Sequence, residues 1–306
     1  MFENLLWWWR LPNELKLPHS TYAYFSKAQM HPFEPQALAF NLANAAWLTD
    51  LSYLVYADKD FIKDKVKNVG FTVKPDDFIG FDQSNESTQC AIIHNTDTLI
   101  VIFRGTEFNP RRIRHVILDS IVDLNAALIK VPELNGNVHT GFFNKAEEAY
   151  DDVVEIIKKI HTNQSIWFTG HSMGGALAII TAQLFAHRQQ QAVQGVYTIG
   201  CPRVGDAEFV EQYPIPLYCL INHQDPVPRI PTKEYNLNNP LALKSYQPMG
   251  EIKYFDSDKK LQDIDRNSAN THDLLNPGST FLVTFLPNML DHAPYRYSQS
   301  IWGKLT

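Results

Sequence analysis

Apolar residues recur along the chain in two distinct periods. At Leu38, Leu42, Ala45, Leu48 and Leu51 they fall at roughly helical spacing, which predicts a long core-facing helix within residues 35–56. Two short apolar runs follow, TQCAIIH (88–94) and TLIVIFR (98–104), joined by the polar turn NTD, and read as a hairpin. Downstream the two periods alternate. Helix 146–161 places Tyr150, Val153, Val154, Ile157 and Ile160 on one face; then come strand SIWFT (165–169), helix 173–188, strand GVYTI (195–199), a short helix from Asp206, and strand PLYCLIN (216–222). Strands interleaved with helices imply parallel strands joined by right-handed crossovers, hence an α/β fold with a mostly parallel central sheet flanked by helices. In such a sheet, chemistry belongs at the carboxyl edge of the strands.

Composition narrows this picture. The 306 residues show no repeat or long linker, so a single domain over 1–306 is expected, with 1–34 as an N-terminal extension. A hydrophobic share of 44% against 20% charged residues supplies a sizeable core. The net charge of −6 argues against nucleic acid as a partner, because phosphate binding needs a surplus of Lys and Arg. Cys90, Cys201 and Cys219 form neither a paired framework nor a metal-like cluster and read as buried free thiols; no metal or cofactor is called for. The N-terminal stretch MFENLLWWWRLPNELKLP fails as a secretory signal, and no apolar run approaches the roughly 20 residues of a bilayer span, so a soluble, cytoplasmic protein is expected.

The candidate chemistry centres on WFTGHSMGGALA, Trp167 to Ala178. Gly170-His171-Ser172-Met173-Gly174 fits G-x-S-x-G, a pattern that chance produces about 0.1 times in a chain of this length. Its context carries the argument: a strand ends at Thr169, a helix begins near Met173, and glycines flank the serine. So tight a turn holds Ser172 in a strained conformation and leaves no room for side chains at 170 and 174. At the helix start, backbone N–H groups face any anion forming at Ser172, so the Met173 N–H is one oxyanion donor. Gly105 and Thr106, directly after strand 98–104, offer the second, and Thr106 brings both an N–H and a hydroxyl.

In α/β hydrolases the acid and then the histidine follow the serine. Asp225 in LINHQDPVPRIP lies just past the last apolar run, at the carboxyl edge, whereas its rival Asp206 fits a helix N-cap. His187 lies about 22 Å along the helix from Ser172. His171 points away from its neighbour's side chain, and His223 is too close to Asp225 to bridge to Ser172, so it reads as a loop-ordering hydrogen bonder. His272 and His292 both satisfy the order, and the residues themselves do not separate them.

Eight ordered motifs extend the argument: NAAWLTDLSYLVY, VIFRGTE, VHTGFF, GHSMGGALA, YTIGCPRVGD, NHQDPVPRIP, GEIKYF and DHAPYRY. With these, the chain from about Asn44 to Tyr297 resembles the class 3, fungal-type lipase family of the α/β-hydrolase superfamily. The resemblance implies Ser172 as nucleophile, Asp225 as acid and His292 as base, with Tyr295 as a companion aromatic. It also implies Thr106 and Met173 as the oxyanion hole, and gives His139 and His171 structural places. Cys201, where the family often has a polar or small residue, and the insertion at 232–249 are departures.

The activity implied is hydrolysis of acylglycerols or other fatty-acyl esters through an acyl-enzyme. The alternatives are a phospholipase A1-type or feruloyl-type esterase, and a non-catalytic binding module on the same fold. Residues 107–124 occupy the place of a lid: Ile113, Val116, Ile117, Ile121 and Leu124 form an apolar stripe at helical spacing, which fits either a mobile cover or an ordinary packed helix. Trp7 to Trp9 fit transient contact with a lipid interface or packing on the domain, and Arg111, Arg112 and Arg114 fit phosphate headgroups or a solvated face. A lipid or small ester is thus the expected partner, and oligomeric state has no signature in the sequence.

Overall fold

A computed structural model of the chain describes residues 21–82, 87–106, 127–231, 245–266 and 288–305. Its centre is an eight-stranded sheet. In chain order the strands are β1 (Phe78–Ile79), β2 (Cys90–His94), β3 (Thr98–Phe103), the separate pair β4 (Leu128–Val131) and β5 (Gly136–His139), then β6 (Ser165–His171), β7 (Gly195–Ile199), β8 (Leu217–Asn222), β9 (Glu251–Phe255) and β10 (Leu261–Ile264). The order across the sheet is β1-β2-β3-β6-β7-β8-β9-β10. Strands β3, β6, β7, β8 and β9 run parallel, and antiparallel strands flank them on both sides.

The described α-helices are α1 (Leu42–Leu54), α2 (Lys59–Lys67), α3 (Thr140–Ile160), α4 (Met173–Gln189), α5 (Ala207–Glu211) and α6 (Pro294–Trp302). On one face of the sheet, Leu99, Val101 and Phe168 share a core with Tyr150 and Val153 of α3 and Leu177 and Phe185 of α4. On the other, Ile100, Ile102 and Trp167 pack with Leu48 and Leu51 of α1 and Ile301 of α6. The side chains of a strand alternate between faces, so a continuous apolar run such as TLIVIF serves both cores, and every residue of β3 is buried. The arrangement is a mostly parallel sheet covered by helices on both sides. Among the described residues no helix is long and apolar enough to cross a membrane.

The expected hairpin, the two long helices and the strands at 165, 195 and 216 all form, with boundaries shifted by a few residues. The first helix differs more. It starts at Leu42 because the Asn41 side chain caps it, accepting from the Asn44 N–H. Residues before Asn41 serve other partners: the Pro35 carbonyl accepts from the Trp167 indole, and the Glu34 carbonyl from the Asn44 side chain. Leu38, assigned by spacing to the core stripe, is 87% exposed. His139 is structural as implied, ending β5 and capping α3 by accepting from the Phe142 N–H.

Asp50 sets up a stability effect on α1. Its carboxylate is fully buried and accepts from the Tyr22 hydroxyl (2.9 Å) and the Phe25 N–H (2.6 Å), fastening the segment before α1. Burial dominates these bonds and pushes its pKa up to about 6. Because the folded state then holds the proton more tightly than the unfolded chain, Asp50 contributes fully below about pH 4, and that contribution is lost as pH rises through about 6. Asp50→Asn can keep both bonds, its oxygen toward Phe25 and its amide toward the Tyr22 oxygen. The variant is expected to gain about 2 kcal/mol on the wild type between pH 4.5 and pH 7.5. Paired thermal melts at the two pH values check this; an identical difference at both would show that Asp50 does not titrate there.

Candidate active site

The parallel strands β6, β7 and β8 end on the same edge of the sheet, at His171, Ile199 and Asn222. Ser172 alone separates β6 from α4, with φ 58° and ψ −131°. That conformation is costly for a residue with a Cβ and is held by its surroundings. The Ser172 N–H donates to the Ile199 carbonyl, and its own carbonyl accepts from the Gly175 N–H, both at 2.9 Å. A Cβ at Gly170 would come within 2.3 Å of the Gly174 carbonyl, and one at Gly174 within 2.3 Å of the Phe103 carbonyl on the next strand. The predicted strained turn between tightly packed glycines is therefore present.

His292 Nε2 lies 2.9 Å from Ser172 Oγ, and His292 Nδ1 lies 2.9 and 3.1 Å from the two oxygens of Asp225. All three residues are at least 98% buried. An ionised carboxylate only accepts, so Nδ1 carries the proton and the Nε2 lone pair faces the Ser172 hydroxyl. That is the tautomer which removes a proton from serine as it attacks. The structure thus brings together the three residues singled out by order and resemblance.

Thr106 and Met173 meet across the same spot, the Thr106 hydroxyl lying 3.8 Å from Met173 Sδ. A Cβ on Gly105 would lie 3.2 Å from Ser172 Cβ, so the turn after β3 abuts the serine. Asp206 caps α5 by accepting from the Phe209 N–H, as expected of the rival acid. His223 orders its loop, Nδ1 lying 3.0 Å from Asp291 Oδ2. Cys201 abuts Gly175 and, like Cys219, is only half-buried, so of the three free thiols expected to be buried Cys90 alone is fully so; desolvation raises the Cys201 thiol pKa well above the ordinary range. The stripe of Ile113, Val116, Ile117 and Ile121, with Arg111, Arg112 and Arg114, lies outside the described residues, as do Trp7 to Trp9, His272 and most of the 232–249 insertion.

One residue takes the place implied for another. Tyr295 packs against Tyr22 and Tyr53, and its hydroxyl accepts from Gln299. Tyr297 is the aromatic that reaches the acid: its buried hydroxyl donates to Asp225 Oδ2 at 2.5 Å and accepts from the Asn222 N–H at 3.0 Å. Positions two apart on a helix differ by about 200°, so only one of the two can face the acid. The Val227 N–H supplies a further bond to Asp225 Oδ1, at 2.9 Å. Sequence reasoning also missed Asn222, whose amide donates to the Asp291 carbonyl and so ties the acid loop to the residue before His292. Removing the hydroxyl in Tyr297→Phe takes one of these donors from a buried charge. The expected result is a fall of about tenfold or more in kcat/KM for a soluble ester, measured against wild type at equal concentrations of labelled Ser172.

Residues 100–235 match the family model for lipase, class 3. Over that stretch, less than half of its 306 residues, the chain is similar to class 3 lipases. Over 144 residues it is 31% identical to a lipase of Rhizomucor miehei, a match covering 44% of this chain and 38% of that protein. Over 114 residues it is 39% identical to the toxin TseL of Vibrio cholerae, covering 37% of this chain and 18% of the toxin. The matched stretch is thus less than two-fifths of either relative's length. The fold likeness is wider. The Rhizomucor miehei lipase propeptide complex superposes with a TM-score of 0.59 at 18% identity, over 92% of this chain and 94% of that one, which makes the fold of this chain the α/β-hydrolase fold.

Proposed function

We propose that this chain is a serine hydrolase that cleaves fatty-acyl esters, acylglycerols first among them, through an acyl-enzyme on Ser172. The observation that carries the reading is the unbroken line of hydrogen bonds from Ser172 Oγ through His292 to Asp225. In the first step Ser172 Oγ bonds to the ester carbonyl carbon while its proton passes to His292 Nε2. The Met173 N–H and the Thr106 N–H and hydroxyl hold the resulting oxyanion. Asp225 stabilises the imidazolium without taking its proton. As the tetrahedral intermediate collapses, the bond to the leaving alcohol breaks and His292 returns the proton to that oxygen. Water, deprotonated by His292, then attacks the acyl-enzyme, and the acid and free Ser172 are regenerated.

The substrate class is supported by the match of residues 100–235 to the lipase family model and by the name of the Rhizomucor relative, a lipase. Contact with a lipid surface, through residues 107–124 and the N-terminal tryptophans, belongs to the same proposal. The test is hydrolysis of p-nitrophenyl esters across acyl lengths beside a triacylglycerol emulsion and a phospholipid, with fluorophosphonate labelling of Ser172. Turnover of medium or long acyl esters and of the emulsion supports the proposal. Preference for the phospholipid would move the assignment to a phospholipase. No labelling and no turnover of any ester would leave the non-catalytic binding module on the same fold.

A further inference from the structure

His171, inside the elbow motif yet excluded as the base, sits at a junction. Its Nε2 lies 2.8 Å from the main-chain carbonyl oxygen of His292, and its Nδ1 lies 2.9 Å from the Tyr56 hydroxyl. A carbonyl only accepts, so Nε2 carries the proton, and Nδ1 accepts from Tyr56. Both hydrogen bonds need the neutral ring with this one tautomer. Burial, and secondarily the nearby His292 ring, hold the pKa of His171 well below the ordinary histidine range, so it stays neutral. The two imidazoles lie 4.5 Å apart at 35°, and the Tyr297 ring is 6.4 Å from His171.

Tyr56 carries the connection to the other side of the site. Its ring lies 5.5 Å from the Arg104 guanidinium, which is itself fixed by a 2.7 Å bond to the Gln89 side chain. Its hydroxyl is wedged against the turn that presents Thr106: a Cβ at Gly105 would lie 2.4 Å from that oxygen and from the His171 carbonyl. One tyrosine oxygen therefore touches the oxyanion turn and, through one neutral histidine, the backbone of the base.

We infer that His171 and Tyr56 form a positioning relay that holds His292 and the Thr106 turn in register with Ser172, so that base and oxyanion donors act on the same transition state. The inference rests on the ester-hydrolase reading. Neither side chain meets substrate; both act by placing groups that do. Misplacement of this kind costs transition-state stabilisation and leaves ground-state binding nearly unchanged.

The experiment uses the full chain and p-nitrophenyl esters, with kcat and KM determined separately and active enzyme counted by fluorophosphonate labelling of Ser172. Tyr56→Phe, which removes one oxygen and keeps the ring, is expected to lower kcat about tenfold with KM little changed. His171→Phe, which removes both bonds, is expected to lower it about 100-fold. His171→Gln, whose amide reaches toward the His292 carbonyl, should recover most of that loss. Rescue by Gln and a fall confined to kcat are not results that lost packing would produce. Wild-type kcat in both Phe variants overturns the relay, as does equal impairment of the Gln and Phe variants at 171. If His171→Phe does not fold, Tyr56→Phe decides alone: a tenfold fall in kcat supports the relay and an unchanged kcat overturns it. A wild type that neither hydrolyses esters nor labels removes the ester-hydrolase reading and the relay with it, whereas an active wild type with unaffected variants removes the relay only.

Discussion

Ser172→Ala is expected to lower kcat for ester hydrolysis by about 10⁶-fold while leaving the melting temperature close to that of the wild type. The two halves of this expectation have separate causes. The elbow is held by main-chain bonds, from the Ser172 N–H to Ile199 and from the Gly175 N–H to the Ser172 carbonyl, and alanine keeps both. Its Cβ matches that of serine, so the strained φ of 58° is no worse accommodated. What disappears is the oxygen 2.9 Å from His292 Nε2, and no other hydroxyl or thiol occupies that place among the described residues. Rates on a soluble p-nitrophenyl ester together with a thermal melt check both halves. Activity within tenfold of wild type would show that the nucleophile lies elsewhere.

Asp225→Asn comes next, with an expected loss of about 10⁴-fold in kcat. Asp225 Oδ1 accepts from the Val227 N–H, and Oδ2 faces His292 Nδ1 and the Tyr297 hydroxyl. An asparagine keeps its oxygen on the fixed Val227 donor and so turns its amide toward His292. Nδ1 must then accept, the ring proton moves to Nε2, and the lone pair facing Ser172 is gone. The fold survives because the volume is unchanged, while labelling of Ser172 by a fluorophosphonate should slow in parallel with kcat. Equal rates for Asp225→Asn and wild type would show that the carboxylate has no part in setting the tautomer.

Both expectations concern residues that the amino-acid sequence already singles out, and the reason is local. The elbow is encoded within twelve consecutive residues, where an apolar run, a glycine-bounded serine and a helix-forming run succeed one another. Short-range sterics then dictate the strand, turn and helix. The hairpin of β2 and β3 and the crossovers around α3 and α4 are legible for the same reason, since each follows from the period of a single segment. Where a segment's fate depends on distant partners, the periodicity misleads or is silent. Residues 35–41 carry the spacing of a helix, yet the Asn41 side chain starts the helix later, and the backbone before it bonds to Trp167 and Asn44. Strand β9 is visible in the sequence only as the motif GEIKYF, and its place beside β8 follows from pairing across the sheet.

The amino-acid sequence by itself determined the class of fold, the elbow and the identity of its serine, and the order in which an acid and a histidine had to follow. Resemblance to a family chose His292 over His272, since nothing within either segment did. Only the tertiary structure decided that Tyr297 rather than Tyr295 meets Asp225, that Asn222 ties the acid loop to the base, and that His171 and Tyr56 stand between His292 and the oxyanion turn. These contacts join residues 69 to 121 positions apart. Local preference sets a segment's conformation, but which side chains meet across such distances is settled when two helical layers and a sheet close on one another, and the chemistry sits on that closure.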